Sequence, residues 1–359
     1  MQPSRVVFVL LLAACGRTEL LALVAPAGGS PGGAAVPATG GRAGSGGAAG
    51  TGGTTAPGGS GGQTMYAIVE LPIPTAGADA RRITAGPDGN LWFTECTPNQ
   101  LGRVSPAGDI AEFPVPFAPG ARRCPQGIAT GPDGNLWFTE SDAWTIATMT
   151  PGGIGIELAA TGSSSPQGIV AAGDGTLWFT GLRGHLGSLT TVGYLMDRFA
   201  DYQGTWQEIA NGPDGNLWFT GFSSEEIGRC TLTGNCTRFA LPNAGSYPYG
   251  ITAGPDGNLW FTEAAGNRIG RITTAGAITE FSLPTQNGSP RIITAGSDGA
   301  LWFTEYLANQ IGRITVDGQL REFAVPTPWS YPLGITSGPD GNIWFTEEIG
   351  NNIGRLTLP

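Results

Sequence analysis

Positive charge is scarce in this chain of 359 residues. Lysine and arginine together number 18, against 28 aspartate and glutamate residues, so the formal net charge is −10. Only 13% of the residues are charged, and no basic stripe is present that could neutralise the phosphates of DNA or RNA. The composition therefore argues against nucleic acid as a partner and favours an acidic surface.

A long hydrophobic run and a C-x-x-C cysteine pair are also missing. The apolar run near the N-terminus, Val6–Ala14, is too short to cross a bilayer. The five cysteines include no C-x-x-C spacing, which argues against a zinc site. We expect contact with a membrane only through a lipid anchor.

The N-terminus predicts export. Arg5 precedes the apolar run, and the run ends in Leu-Ala-Ala-Cys15, which resembles a bacterial lipobox whose cysteine becomes the lipidated first residue of the mature protein. We therefore predict a signal peptide over residues 1–15, lipidation of Cys15, and a bacterial cell-envelope lipoprotein of the periplasm or the outer surface. An ordinary secretory signal with an incidental cysteine is the alternative.

A flexible linker is predicted over residues 16–64. From Ala25 to Thr64 the chain is almost entirely Gly, Ala, Ser, Thr and Pro, with a single charge at Arg42. Such a segment lacks the large apolar side chains that a core requires. Together with a lipid at Cys15, it would hold the following domain away from a membrane surface.

The phrase GPDGNLWFTE, at Gly86–Glu95, returns six more times as near-copies. Successive copies, marked by their tryptophan, are 45, 41, 40, 42, 42 and 42 residues apart. Short strand-like runs and Gly-rich turns at this spacing are typical of a propeller with four-stranded blades. Because blades cannot bury their faces alone, we predict one all-β domain over residues 65–359, a seven-bladed β-propeller. The markers are Trp92, Trp137, Trp178, Trp218, Trp260, Trp302 and Trp344.

One repeat, residues 248–284, shows four strand-like runs. The Pro255–Asn258 segment between the first two suits a tight turn, because proline presets φ and glycine takes the left-handed position. The predicted strands are Gly250–Ala253, Leu259–Glu263, Ile269–Thr273 and Ala277–Leu283.

The last blade lacks a fourth strand after its third, because the chain stops at Pro359. Tyr66–Leu71, near the start of the repeat region, matches the phrase of a fourth strand. We therefore predict that this N-terminal strand completes the last blade, which closes the ring and removes an open sheet edge.

Two sets of repeated residues are predicted to be structural. Tryptophan and phenylalanine at one place in every blade indicate core between blades rather than a binding stripe. The recurring Gly-Arg pairs indicate structural ion pairs or a solvated ring rather than a phosphate site. The arginines are Arg103, Arg229, Arg271, Arg313 and Arg355.

Four cysteines remain besides Cys15, an even number in a chain predicted to be exported. Cys230 and Cys236 flank a hairpin turn and would face each other across the third and fourth strands. Cys96 follows the second strand of blade one, and Cys124 precedes the first strand of blade two, on the same face. We predict the disulfides 96–124 and 230–236; free buried thiols are the alternative.

The repeat GITAGPDGNLWFTE, with its NQIGRIT and ITEF phrases, resembles the virginiamycin B lyase (streptogramin lyase) family over about residues 65–359. This resemblance implies a carbon–oxygen lyase that opens cyclic type B streptogramins by elimination and would make the protein an antibiotic-resistance enzyme. In that family a histidine removes a proton beside the ester, and Mg²⁺ near a glutamate polarises the carbonyl.

Carried over to this sequence, the family's functional positions mostly change residue. Leu333 stands at the position of the base, Tyr331 replaces a preceding glutamate, and Arg291 stands at the position of a second histidine. Glu347, at the metal-side position, matches. The single histidine, His185, is expected to be a solvated loop residue of blade three.

Three functions follow as hypotheses. The first is a Mg²⁺-dependent, streptogramin lyase-like enzyme with another base. The second is a non-catalytic, surface-tethered propeller that binds a ligand or protein, and the missing histidines favour it. The third, a metal-dependent lactonase, needs a channel cluster of Glu, Asn and Asp that the inner strands do not supply.

Carboxylates end the second strand in five blades. They could raise one another's pKa or hold a cation, or they could accept backbone N–H bonds at the strand ends. These residues are Glu95, Glu140, Glu263, Glu305 and Glu347; Gly181 and Gly221 stand in blades three and four.

The residues that open the first strands are predicted to line the mouth of the central channel. Glutamine, arginine and aromatic side chains on a concave face suit a small-molecule, peptide or glycan ligand bound by a monomer, although a rim that merely solvates the channel is the alternative. The predicted ligand-binding set is Arg81, Gln126, Gln167, Gln207, Tyr249, Arg291 and Tyr331, with Leu333 in the ring and Trp206, Tyr247 and Trp329 beside it.

Overall fold

The computed structural model describes residues 8–14, 17–23, 66–115, 123–162, 164–200 and 204–359. These belong to two compact units, Met1–Gln63 and Thr64–Pro359. In the first unit, β1 (Phe8–Ala14) pairs antiparallel with β2 (Arg17–Leu23). Cys15 and most of residues 16–64 lie outside the described residues, so the lipidation, the signal peptide and the linker stay predictions.

The second unit consists of seven four-stranded antiparallel sheets in a ring, which confirms the predicted seven-bladed β-propeller. In six blades the strands follow one another in sequence order, and in blade seven an N-terminal strand takes the fourth place. In every blade the first strand lies innermost, next to the first strands of the neighbouring blades. No helix occurs in the described part of the chain, and a search of that part finds no helix able to span a membrane.

The strands of blades one to four are β4 (Ala80–Ala85), β5 (Leu91–Glu95), β6 (Gln100–Val104) and β7 (Ile110–Pro114); β8 (Pro125–Thr130), β9 (Leu136–Glu140), β10 (Thr145–Met149) and β11 (Gly155–Ala160); β12 (Pro166–Ala171), β13 (Leu177–Gly181), β14 (His185–Leu189) and β15 (Leu195–Ala200); and β16 (Trp206–Asn211), β17 (Leu217–Gly221), β18 (Glu226–Cys230) and β19 (Cys236–Ala240).

The strands of blades five to seven are β20 (Pro248–Ala253), β21 (Leu259–Glu263), β22 (Arg268–Ile272) and β23 (Ile278–Ser282); β24 (Pro290–Ala295), β25 (Leu301–Glu305), β26 (Gln310–Ile314) and β27 (Leu320–Ala324); and β28 (Pro332–Ser337), β29 (Ile343–Glu347), β30 (Asn352–Thr357) and β3 (Ala67–Pro72). The pairing of β3 with β30 confirms that the N-terminal strand completes the last blade.

The repeated aromatic residues form the core, as predicted. All seven marker tryptophans and the phenylalanines that follow them are fully buried. Trp344 of blade seven packs with Phe93 of blade one, and Trp92 of blade one packs with Phe138 of blade two, so each tryptophan fills the gap to the next blade. Burying an indole against a neighbour contributes a few kcal/mol per blade, which makes this packing the main apolar term of the fold.

The repeated arginines are structural, as predicted. The guanidinium of Arg313 lies 2.8 Å from the carboxylate of Asp298 and 5.7 Å from the ring centroid of Trp302. Asp298 also accepts the indole N–H of that tryptophan. Arg271 makes the same contacts in blade five, with a 3.8 Å ion pair to Asp256. These arginines therefore cover the outer side of the core.

Both predicted disulfides are present. Cys96–Cys124 joins the loop after β5 to the residue before β8, and so links blade one to blade two. Cys230–Cys236 joins β18 to β19 across their hairpin. The two bonds cross-link the sheet without replacing any strand pairing.

A threonine hydroxyl connects every blade to the next. In each first strand the pairing with the second strand is interrupted by a bulge, for example between Pro290 and Ile293. The hydroxyl of Thr304 accepts the N–H of Ile292 inside this bulge and donates to the carbonyl of Leu333 in blade seven. All seven blades repeat the arrangement, through Thr94, Thr139, Thr180, Thr220, Thr262, Thr304 and Thr346.

This threonine relay predicts a specific cost for losing one hydroxyl. Thr304→Val keeps the size of the side chain but leaves a buried N–H and a buried carbonyl without partners, so we expect a loss of about 2–4 kcal/mol in the free energy of unfolding. Thr304→Ser keeps the hydroxyl and should cost only about 1 kcal/mol for the missing methyl group. Urea unfolding measures both variants. Equal losses would contradict a role for the hydroxyl.

Candidate functional site

Of the predicted channel-mouth residues, the seven that open the first strands lie inside the bulges of those strands, whereas Tyr331 directly precedes β28. We call this set, one residue per blade, the mouth ring: Arg81, Gln126, Gln167, Gln207, Tyr249, Arg291 and Leu333. The backbone carbonyl of each residue accepts a hydrogen bond from the threonine hydroxyl of the preceding blade, which fixes the backbone of the ring. Bulges commonly re-aim side chains beside functional sites.

Four of the seven mouth-ring residues are buried: Gln126, Gln167, Gln207 and Leu333. The side-chain amide of Gln126 donates to the sulfur of Cys124, and that of Gln167 donates to backbone carbonyls of its own strand. The amides of Gln126 and Gln167 are therefore engaged within the protein, and the role of the glutamines in ligand binding stays a prediction.

Aromatic side chains collect beside the mouth ring, across blades four to seven. The rings of Phe222 and Tyr247 lie 5.1 Å apart, and those of Phe222 and Tyr249 lie 6.0 Å apart. The rings of Tyr306 and Tyr331 lie 4.9 Å apart. We call these five residues the aromatic arc. Trp329 beside it is 72% exposed, whereas Trp206, expected at the mouth, is fully buried against Phe219.

Arg291 lies in the gap of the aromatic arc. Its guanidinium carbon is 4.7 Å from the ring centroid of Tyr249 and 5.1 Å from that of Tyr306. A guanidinium held between two rings gains cation–π attraction and loses rotational freedom. The position that the resemblance assigns to a second histidine thus carries a stacked cation.

The positive charge of the other arginine in the mouth ring is balanced by carboxylates. Arg81 forms an ion pair with Asp79 at 2.7 Å and with Glu348 at 3.3 Å. Burial raises the pKa of Glu348, and its neighbours Arg81 and Asp79 pull that pKa in opposite directions. Sequence reasoning missed Glu348, which directly follows the predicted Glu347 and lies on the mouth side.

An ion pair crosses the channel below the mouth ring. Arg82 of blade one lies 2.6 Å from Glu208 of blade four, on the opposite side of the ring. Four other blades have glycine at this position, where a β-carbon would strike the next blade; at Gly334 it would lie 2.5 Å from the carbonyl oxygen of Arg81. The departures from glycine at 82 and 208 are the sequence signal that could have identified this pair.

Glu347 does not face the mouth. Its side chain is fully buried within blade seven, where it accepts a hydrogen bond of 3.1 Å from the side-chain amide of Asn352. Burial raises its pKa to about 7, with a further contribution from the negative charge of Glu70. The residue that matches the family pattern is thus enclosed by its own blade.

The other strand-end glutamates are enclosed in the same way. Glu95 accepts from the side chain of Gln100, and Glu263 from that of Arg268, in each case at the start of the third strand. Raised pKa values were expected and are found, but their main cause is burial rather than mutual repulsion. The expected alternative, bonds from backbone N–H groups at the strand ends, is replaced by these side-chain partners.

His185 is a core residue, contrary to the expectation of a solvated loop. It begins β14, is 6% exposed, and its ring centroid lies 5.5 Å from that of Phe179. Residues 183 and 184 form a tight turn, and β14 begins at His185 itself. Blade three contributes no residue to the aromatic arc.

The residues at the family's functional positions do not fit a magnesium ion. Mg²⁺ prefers oxygen ligands in octahedral geometry. Glu347 offers a carboxylate but is enclosed, Leu333 offers no side-chain ligand, and Arg291 adds positive charge. Within the described residues, no group of three or more His, Cys, Asp or Glu side chains is placed to hold a metal ion.

Comparison with known proteins identifies relatives of the repeat region. A model of the virginiamycin B lyase family matches residues 63–204 and 154–359. The virginiamycin B lyase of Bordetella pertussis is 38% identical over 53 residues, which is 15% of this chain and 18% of that protein. The chain therefore spans about a fifth of the length of this curated relative in the matched segment.

Solved structures match over a longer range. A streptogramin B lyase is 38% identical, with a TM-score of 0.77, over 82% of this chain and 98% of that one. A catalytically inactive histidine-to-alanine variant of the virginiamycin B lyase from Staphylococcus aureus, with quinupristin, is 36% identical, with a TM-score of 0.77, over 82% of this chain and 100% of that one.

The ion pair across the channel predicts non-additive mutations. Glu208→Leu leaves the guanidinium of Arg82 without its carboxylate, and we expect a loss of about 3 kcal/mol in the free energy of unfolding. The double variant Arg82→Met/Glu208→Leu removes both charges and should recover most of that loss. Urea unfolding of wild type, both single variants and the double variant measures the coupling. Additive losses would contradict a direct interaction.

Buried carboxyls predict that stability falls as the pH rises. Burial raises the pKa of Glu305 to about 8 and those of Glu95 and Glu347 to about 7, from an ordinary value of 4.5. Because the folded chain favours the protonated forms, their stabilisation is complete below about pH 4.5 and is lost as the pH rises through the folded pKa values. We expect the free energy of unfolding to fall between about pH 5 and pH 8.

Glu305→Gln tests this pH dependence. No hydrogen-bond partner for either carboxylate oxygen of Glu305 is found among the described residues, so a neutral amide avoids a buried charge. At pH 8 the variant should be more stable than wild type by on the order of 3 kcal/mol, with little difference at pH 5. Parallel stability curves for the two proteins would refute the assignment.

Proposed function

The chain belongs to the virginiamycin B lyase family, and from that premise we propose that it binds a ligand at the channel mouth without opening it by elimination. The observation that carries the proposal is the residue at the position of the family's base. Leu333 is 3% exposed there, and its backbone carbonyl accepts a hydrogen bond from Thr304. A leucine side chain cannot accept a proton, so the base of the elimination is missing at this position.

The second histidine position supports the same proposal. Arg291 carries a guanidinium, which has donors but no free lone pair to accept a proton at neutral pH. What the mouth offers instead is a recognition surface, a cation set among five aromatic rings on a concave face. Such a combination suits a small molecule, or a peptide or glycan segment.

The setting of this function is part of the proposal. Two disulfides in the propeller support an oxidising compartment, which agrees with the predicted signal peptide and with lipidation at Cys15. We propose a monomeric propeller that is held at the bacterial cell envelope by its lipid and presents the channel mouth to ligands.

A second candidate function is a lyase with a different base. The supporting observation is Glu348, a carboxylate on the mouth side whose pKa burial raises and which interacts with the hydroxyl of Tyr306. A carboxylate with a raised pKa is a stronger proton acceptor than an ordinary one. Its ion pair with Arg81 opposes that role, because the guanidinium stabilises the unprotonated form.

An activity assay separates the two candidates. The full chain is incubated with quinupristin, with and without Mg²⁺, and ring opening is followed by chromatography because the linear product is an isomer of unchanged mass. An active virginiamycin B lyase run in parallel shows that the assay detects turnover. We expect no turnover by this chain in either condition.

Turnover would contradict the binding proposal, and matched variants would then locate the base. Loss of activity in Glu348→Gln but not in Glu347→Gln would assign proton transfer to the mouth carboxylate. Both are single changes of carboxylate to amide on neighbouring residues, so they differ in the direction that the side chain faces rather than in chemistry.

A further inference from the structure

We infer that the ligand of the channel mouth carries a carboxylate attached to a ring, and that Arg291 is its anchor. This inference rests on the proposed binding function and names the chemical class of the ligand. It begins with the charges at the mouth. Arg81 is paired with Asp79 and Glu348, and Arg82 is paired with Glu208. Arg291 has no carboxylate or other hydrogen-bond acceptor in the part of the chain that the structure describes.

The absence of a partner is unusual for a cation held this closely. Stacking between Tyr249 and Tyr306 contributes cation–π energy of about 1–2 kcal/mol but satisfies none of the five N–H donors of the guanidinium. Partly desolvated charges are normally paired, because the lost hydration is otherwise not replaced. A bound oxyanion would supply the missing acceptors.

The orientation of Arg291 leaves one edge of the guanidinium free. Its Nε is buried, whereas the two terminal nitrogens are not. Those two nitrogens form a planar fork that matches the two oxygens of a carboxylate. The two tyrosines hold the fork in one plane, so less side-chain entropy is lost when the ligand binds.

The surroundings favour a single negative charge. Asp79, Glu208 and Glu348 lie on the same mouth as the three arginines, so the carboxylates and guanidiniums balance in number. Glu348 also interacts with Tyr306, which stacks on Arg291. A carboxylate neutralises the single charge of Arg291, whereas a dianion such as a phosphate monoester would leave an excess negative charge close to Glu348.

The aromatic arc supplies the surface for the ring of the ligand. Tyr331 lies 4.9 Å from Tyr306, and Trp329, two residues earlier in the chain, is 72% exposed. Tyrosine and tryptophan stack on flat aromatic rings and on the apolar faces of sugars at low entropic cost. An aryl carboxylic acid and an acidic sugar share the required chemistry, a planar carboxylate next to a ring.

Calorimetric titration of the full chain tests the inference with matched pairs of ligands. Benzoate is compared with the neutral benzamide, and glucuronate with neutral glucose. We expect at least one acid to bind about tenfold or more tightly than its neutral counterpart, which is about 1.4 kcal/mol. The pair that shows the difference tells whether the ring is aromatic or a sugar. Equal binding of acid and neutral counterpart in both pairs, or no binding of either acid, would overturn the inference.

Variants assign the effect to Arg291. Arg291→Met should weaken binding of the acid about tenfold or more, and Arg291→Lys should give an intermediate loss because the charge remains but the planar fork does not. Arg321→Met is the matched control, since Arg321 also stacks on aromatic rings, Tyr66 at 4.6 Å and Phe323 at 4.7 Å, but on the outer strand β27. An unchanged affinity in Arg291→Met would overturn the assignment.

The two proposals fail in different ways. Turnover of quinupristin by the wild-type chain would refute the binding proposal, whatever the calorimetry shows. Absence of turnover together with equal binding of acids and neutral counterparts would refute only the carboxylate inference. The comparison of acids with neutral ligands uses the wild-type chain, so it remains decisive even if a variant at 291 does not fold.

Discussion

The threonine relay is the interaction on which the rest of this propeller depends. A bulge in each first strand removes two residues from the sheet ladder, and their backbone groups would be unsatisfied without another partner. One threonine hydroxyl per blade accepts a hydrogen bond from an N–H of its own blade and donates one to a carbonyl of the next blade. The seven threonines therefore link the innermost strands around the whole ring. The tryptophans fill the wider gaps outside it.

This relay explains how the mouth can change without loss of the fold. Each mouth-ring residue is fixed through its backbone carbonyl, so the position of its backbone does not depend on which side chain it carries. Leucine at 333 and arginine at 291 are held by the same bonds that would hold a histidine. The family's scaffold is retained here, while the side chains at the mouth provide a paired cation, Arg81, an unpaired cation, Arg291, and aromatic surface.

Features that repeat from blade to blade could be predicted from the sequence, whereas contacts between blades on opposite sides of the ring could not. Blade number, closure by β3 and both disulfides follow from a period and from alignment of one blade with another. Arg82 and Glu208 are 126 residues apart in the sequence, and no local pattern relates them. Glu347 and Glu348 are neighbours, but Glu347 ends β29 and bonds within its blade, whereas Glu348 lies in the following turn and pairs with Arg81. His185 was misassigned because a short turn was taken for a loop.

A crystal structure of the chain with benzoate and, separately, with glucuronate is the most direct test of the central claim, that the mouth recognises a carboxylate through Arg291. The account predicts the carboxylate on the two terminal nitrogens of Arg291, at about 2.7–2.9 Å, with the ring of the ligand against Tyr306, Tyr331 or Trp329. Density for the acid elsewhere, with the guanidinium of Arg291 still unpaired in both crystals, would contradict it.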